Sequence, residues 1–222
     1  MTPSRTSHNP EEALNWMINP YTREDFLRYY WGKMPLHIPR KDSARYKKLF
    51  NSNQFELLLG SRVHSSRLVR IVADGKTFSP DDYCKDHKLS DSLHLRECLD
   101  IHKIRQLFGE GATIILQHLE LFDPQVSKLC AQLTGAFHHR VEAHAFLTPP
   151  TQLNRGLPPH TDPIDSFVIQ LEGTRRWETC EPLKPPPFSH ERKKSISNNI
   201  SGSHDLILSP GDSLFIPMTC PY

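Results

Sequence analysis

The sequence predicts an α+β protein: a mostly helical region with a few strands over residues 1–110, then a strand-rich region over residues 111–222. Three observations predict it. Capped, amphipathic stretches crowd residues 9–60. Short alternating or β-rich runs crowd residues 145–217. The 19 prolines in 222 residues favour strands and loops over a helical bundle.

The elements follow in order. "NPEEALNWMI" predicts a helix, with Asn9 as N-cap, Pro10 at the first helical position and two glutamates in the first turn. "TREDFLRYYWG" repeats this logic, with Thr22 as cap and Gly32 as stop. "MPLHIPR" reads as a short strand and "SNQFELLLGS" as a short helix closing at Gly60. "SRLVRIVADG" alternates as a half-buried strand does. Residues 80–100 read as polar and irregular, and "GATIILQHLEL" as β-rich from Ala112. In "DPQVSKLCAQLTGAF" Asp123 caps, Pro124 starts, and Val126, Leu129, Cys130 and Leu133 form one apolar stripe for the core. After Arg140 come strands: "AHAFLTP", "SFVIQLEG", "RRWETC" and "HDLILSPGDSLFIP". The last is two strands joined at Pro210-Gly211-Asp212, a tight turn signal. "EPLKPPPFSHERKKSISNNISGS" reads as a long surface loop whose basic run, Arg192 to Lys194, is a solvated face.

Composition bounds the function. Hydrophobic content of 37% and charged content of 23% fit a globular chain rather than a disordered one. A net charge of +2 gives no strong nucleic-acid signal. The polar opening "MTPSRTSHNP" predicts no signal peptide, and no stretch is long and apolar enough to span a membrane. Cys84, Cys98, Cys130, Cys180 and Cys220 are scattered and odd in number, which argues against a zinc ribbon or disulfide framework and for a reducing compartment.

The informative stretch is "GLPPHTDPIDSFVIQLEGTRRW", Gly156 to Trp177. Residues two apart on an extended chain point to one side, so His160 and Asp162 can reach one point in space. An imidazole and a carboxylate are two members of the 2-His-1-carboxylate set that holds non-haem iron(II). The pair alone has a plainer reading, a loop histidine and a turn-forming aspartate. Context favours the metal: Pro158, Pro159 and Pro163 stiffen the segment, and a strand follows at Ser166. Strands adjacent in sequence usually pair, so Arg175 or Arg176, at the start of the next strand, can point back into the same cavity. A guanidinium binds a carboxylate through two parallel hydrogen bonds.

With these residues the chain resembles the JmjC-type ribosomal oxygenases of the cupin superfamily, iron(II)- and 2-oxoglutarate-dependent protein hydroxylases. Gly156, Pro159, His160, Asp162, Phe167, Gln170, Gly173, Arg175 and Trp177 meet the family pattern. "FLRYYWGKMPLHIPR", "AFLTPP" and "LSPGDSLFIP" are similar to other family segments. The resemblance implies a double-stranded β-helix (cupin/JmjC jelly roll) following the helical region. It implies Fe(2+) ligands at His160 and Asp162, and Arg175 on the distal carboxylate of 2-oxoglutarate, with Arg176 facing away. It implies histidine of a ribosomal protein as substrate, with histone-lysine demethylation as the other activity ascribed to the family. It also implies a nuclear or nucleolar location if the source is eukaryotic, and a cytoplasmic one otherwise.

Two positions depart from the pattern. His144 stands where the family has Asn, and is either a co-substrate contact or a core histidine. Tyr222 stands at the position of the third metal ligand, and is the last residue of the sequence. On this basis the jelly roll is expected to be incomplete before barrel closure, the chain to be a monomer, and its metal binding and turnover to be weak. The alternative reading is a truncated, catalytically inactive JmjC-derived fragment or binding module.

Overall fold

The computed structural model describes residues 10–61, 66–88, 90–92, 94–150, 160–183 and 203–222. Asn9, Pro158, Pro159 and the basic run Arg192 to Lys194 lie outside the described residues.

The chain runs through α1 (Pro10–Ile18), α2 (Arg23–Asp25) continuing as a π-wound turn over Phe26–Tyr30, β1 (Leu36–Ile38) and α3 (Ser52–Ser61). It continues through β2 (Val69–Ala73), β3 (Lys76–Thr77), α4 (Pro80–Tyr83), β4 (Cys84–Lys88), β5 (His94–Leu99) and α5 (Ile101–Gly109). Then come β6 (Thr113–Leu116), α6 (Pro124–Phe137), β7 (Ala145–Leu147), β8 (Ser166–Ile169), β9 (Arg175–Thr179), β10 (His204–Leu208) and β11 (Ser213–Ile216). Thr22 caps α2 as expected, its hydroxyl accepting from Asp25 N at 3.1 Å, and Gly32 ends the turn with φ +65°.

The chain divides into two compact units, each discontinuous in sequence. The first comprises residues 1–49, 125–141 and 159–222. Its three-stranded antiparallel sheet has the order β1-β11-β8, with Leu36 opposite Phe215 and Ser166 opposite Ile216. β11 is wholly buried and serves two cores. Phe215 points to one side, where it packs with Leu14, Phe26, Ile38 and Leu133. Leu214 and Ile216 point to the other, packing with Leu208 and Cys220. Partly buried Val168, Trp177 and Tyr222 cover that second core. This is how the fold brings Trp177 and Tyr222 to one place.

The second unit comprises residues 50–124 and 142–158. It holds a four-stranded sheet of order β3-β2-β6-β7 and the hairpin β4-β5. Every β pairing among the described residues is antiparallel. All five cysteines are buried free thiols.

Three expectations are corrected. In place of the irregular stretch expected over residues 80–100, the described residues form α4 and the paired strands β4 and β5, and α5 follows with Asp100 as its cap. β8 and β9 do not pair: β8 pairs with β11, and β9 with β10. The Pro210-Gly211-Asp212 turn does not make a hairpin, because β10 and β11 enter different sheets. Asp212 fixes that corner. Its Oδ1 accepts from Arg40 N at 2.6 Å, and its Oδ2 from Ser209 N at 2.9 Å. The Arg40 guanidinium adds bonds to Ser213 Oγ at 2.8 Å and to the Met17 carbonyl at 2.6 Å. Gly211, with φ +97°, lies so close to the Asp42 carbonyl that a Cβ would collide with it.

Candidate metal and co-substrate site

The site grows out of the β8–β11 pairing. Six residues before Ser166 and six after Ile216, the two chains meet again in the same register. His160 N donates to Tyr222 O at 3.1 Å, and Tyr222 N to His160 O at 3.0 Å. Between these points Asp165 Oδ1 accepts from Met218 N at 3.0 Å. On its other side the 219–221 stretch accepts from the segment after β9: Cys180 N to Pro221 O at 2.9 Å, and Leu183 N to Thr219 O at 2.8 Å. In place of the expected pairing of β8 with β9, residues 217–222 run between the segment before β8 and the segment after β9.

Residues that exchange both main-chain hydrogen bonds carry their side chains on one face. The His160 and Tyr222 rings accordingly lie 4.7 Å apart, tilted by 50°. Asp162, two residues on, is the diagonal neighbour of Tyr222, within reach of a long aromatic side chain. The Tyr222 hydroxyl donates to Asp162 Oδ2 at 2.5 Å. The other oxygen, Oδ1, faces His160 Nε2 at 3.9 Å. Both side chains are part-exposed, at 32% and 43%, so the pair is open to an incoming ion.

The donor chemistry fits a ferrous ion in two positions. An imidazole nitrogen and a carboxylate oxygen suit a borderline divalent cation, and here the two atoms stand 3.9 Å apart. Among the described residues, no group of three His, Cys, Asp or Glu converges to hold a metal. Tyr222 meets the pair instead, through Asp162.

β9 supplies the cationic side. Along it Arg175 and Trp177 are half-buried, while Arg176 and Glu178 are exposed. The Arg175 guanidinium lies over the Trp177 ring, 5.3 Å from its centre, and Trp177 is 5.9 Å from the Tyr222 ring. Arg175, Trp177, Tyr222 and the His160–Asp162 pair therefore form one chain of contacts. Burial lowers the pKa of Arg175, the signature of a cation partly withdrawn from water. Arg176 points away, as expected: its Nε and Nη2 bond Asp205 at 2.9 and 2.7 Å. That bidentate pair raises the arginine pKa and lowers that of the aspartate.

His144 belongs to the second unit. Its ring lies 5.5 Å from that of His118, whose Nδ1 is 3.4 Å from Glu120 Oε1 and 3.7 Å from Glu142 Oε2. Burial first, and then His118, lowers the pKa of His144. Of the contacts that link the site, one was open to sequence reasoning and one was not. Trp177 was legible, since it shares the strand face of Arg175. The bond from Tyr222 to Asp162 was not, because it depends on a register set by β8 and β11.

Residues 116–222 match the JmjC domain family. Relatives extend the likeness over nearly the whole chain. The bifunctional lysine-specific demethylase and histidyl-hydroxylase NO66 of Drosophila mojavensis is 26% identical over 214 residues, covering 93% of this chain and 22% of that protein. Ribosomal oxygenase 2 of Rattus norvegicus is 29% identical over 216 residues, covering 94% of this chain and 43% of that protein. The structure of YcfD, a ribosomal oxygenase from Escherichia coli, in complex with cobalt and succinic acid superposes with a TM-score of 0.56 at 24% identity. It covers 91% of this chain and 47% of that one. The chain thus spans less than half the length of these proteins. The α+β, cupin-like fold expected from the sequence is the fold of these ribosomal-oxygenase structures.

Proposed function

We propose that this JmjC chain is the metal- and co-substrate-binding part of an Fe(II)- and 2-oxoglutarate-dependent dioxygenase that hydroxylates a protein side chain. The observation that carries the reading is the contact chain from the His160–Asp162 pair through Tyr222 and Trp177 to Arg175. It gives a cation site and an anion site on the same unit.

His160 Nε2 and Asp162 Oδ1 hold the ion. Arg175 receives the distal carboxylate of 2-oxoglutarate, and a desolvated pair of that kind is worth about 2–5 kcal/mol when broken. Trp177 packs beneath the guanidinium and restricts its motion. When bound, iron(II) supplies the oxygen chemistry, in which 2-oxoglutarate and dioxygen become succinate and carbon dioxide and one oxygen atom enters a substrate C–H bond. YcfD of Escherichia coli, which shares the fold, is solved in complex with cobalt and 2-oxoglutarate, which supports a metal and this co-substrate for the chain.

The names of the relatives, a histidyl-hydroxylase and lysine-specific demethylase and a ribosomal oxygenase, support a histidine of a ribosomal protein as substrate, with a methyl-lysine as the second choice. A monomer, and a nuclear or nucleolar location in a eukaryotic source, complete the proposal. No helix among the described residues is long and apolar enough to cross a membrane. The test is succinate formation coupled to a mass gain of one oxygen on histidine-bearing ribosomal-protein peptides. The expected result is coupled turnover that His160→Ala abolishes. Uncoupled or His160-independent succinate release would reject the reading.

A further inference from the structure

Resting on the metal reading above, we propose that Tyr222 is a positioning residue for the metal pair: its hydroxyl holds one oxygen of Asp162 so that the other is presented beside His160 Nε2. The residue stands where a ligand is expected from the resemblance, yet its contacts are those of a clamp. Four of them fall on the pair itself. The two reciprocal main-chain bonds at 3.1 and 3.0 Å fix the backbone of His160. The rings meet at 4.7 Å, which limits rotation of the imidazole. The hydroxyl takes Asp162 Oδ2 at 2.5 Å, leaving Oδ1 as the oxygen 3.9 Å from His160 Nε2.

The clamp is itself held. Pro221 and Thr219 are bonded from Cys180 and Leu183, Cys220 is fully buried, and Trp177 lies 5.9 Å from the phenol ring. A carboxylate with one oxygen engaged binds a cation through the other, in monodentate fashion. Its orientation is set before the ion arrives, which removes part of the ordering cost. Tyr222 therefore selects both where the carboxylate points and how many of its oxygens reach the ion.

The experiment uses the 222-residue chain, with cobalt(II) as the probe. Tyr222→Phe keeps the ring and the main-chain bonds and removes only the hydroxyl. The expected result is cobalt(II) binding weakened by about tenfold, a changed visible spectrum of the bound cobalt, and an unchanged thermal midpoint of the metal-free protein. Equal affinity and an identical spectrum in Tyr222→Phe, with Asp162→Ala losing binding, would overturn the role of Tyr222 and leave the metal reading intact. A parallel loss of metal-free thermal stability would overturn it too, since the hydroxyl would then be merely structural. A phenolate charge-transfer band in the iron(III)-loaded protein, absent from Tyr222→Phe, would make Tyr222 a ligand and not a clamp. Wild-type protein that binds no cobalt(II), or His160→Ala and Asp162→Ala proteins that bind it normally, would overturn both readings.

Discussion

Arg175 and Arg176 are adjacent, identical in chemistry and opposite in fate. Strand alternation puts Arg175 over Trp177 and sends Arg176 out to Asp205. Arg175→Ala is expected to weaken 2-oxoglutarate binding at least tenfold, about 1.4 kcal/mol, and Arg176→Ala to leave it unchanged, both read by calorimetric titration. Equal losses would contradict the face assignment. His144 offers a second test at this scale. Burial and His118 hold its pKa below the ordinary 6.5, while Glu142 and Glu120 oppose them and Arg70 adds to them. His144 is nonetheless exposed, so solvent screens the difference, and the unfolded chain takes up the proton only somewhat before the folded protein as pH falls. His144 contributes stability above pH 6.5 that is lost as pH falls from 6.5 toward its lowered folded value. In His144→Asn the thermal midpoint should fall less steeply with acidification below that point. An unchanged slope would show that His144 titrates alike in both states.

At the scale of elements, the corner at Gly211 decides which sheets form. A hairpin there would pair β10 with β11, but Asp212 ties the turn to Arg40 and Ser209 and directs the two strands apart. Gly211→Ala combines a left-handed backbone with a collision against Asp42, so an unfolding loss of at least about 2 kcal/mol is expected in denaturant. A smaller loss would mean that the corner yields. The sequence made the other local elements legible where a cap or a period marked them: Thr22 before α2, Pro124 at the start of α6, the alternation of β2. It hid β4 and β5, because "CKDHK" faces solvent along most of its length and carries no apolar period. Glu97, with φ +52°, further breaks the alternation of β5. Strand partnership was also hidden. The β8 and β9 segments are neighbours in sequence, yet each pairs elsewhere, since pairing follows the two cores on either side of β11 and not chain order.

For the whole molecule, the JmjC match over residues 116–222 spans the segment that carries His160, Asp162 and Arg175, the residues of the proposed site. That site was legible as a spacing and a strand period. Its closure by Tyr222 was not, because it comes from a register continued across a gap between distant segments. The central claim is that the His160–Asp162 pair binds iron(II) and that 2-oxoglutarate joins it through Arg175. The most direct measurement is anaerobic titration of the iron(II)-loaded protein with 2-oxoglutarate, followed by the visible charge-transfer absorption of the chelate. The predicted result is a saturable band in the wild type, no band in His160→Ala or Asp162→Ala, and a requirement for at least about tenfold more 2-oxoglutarate in Arg175→Ala. A band that survives loss of Asp162, or its absence from the wild type, would contradict the account.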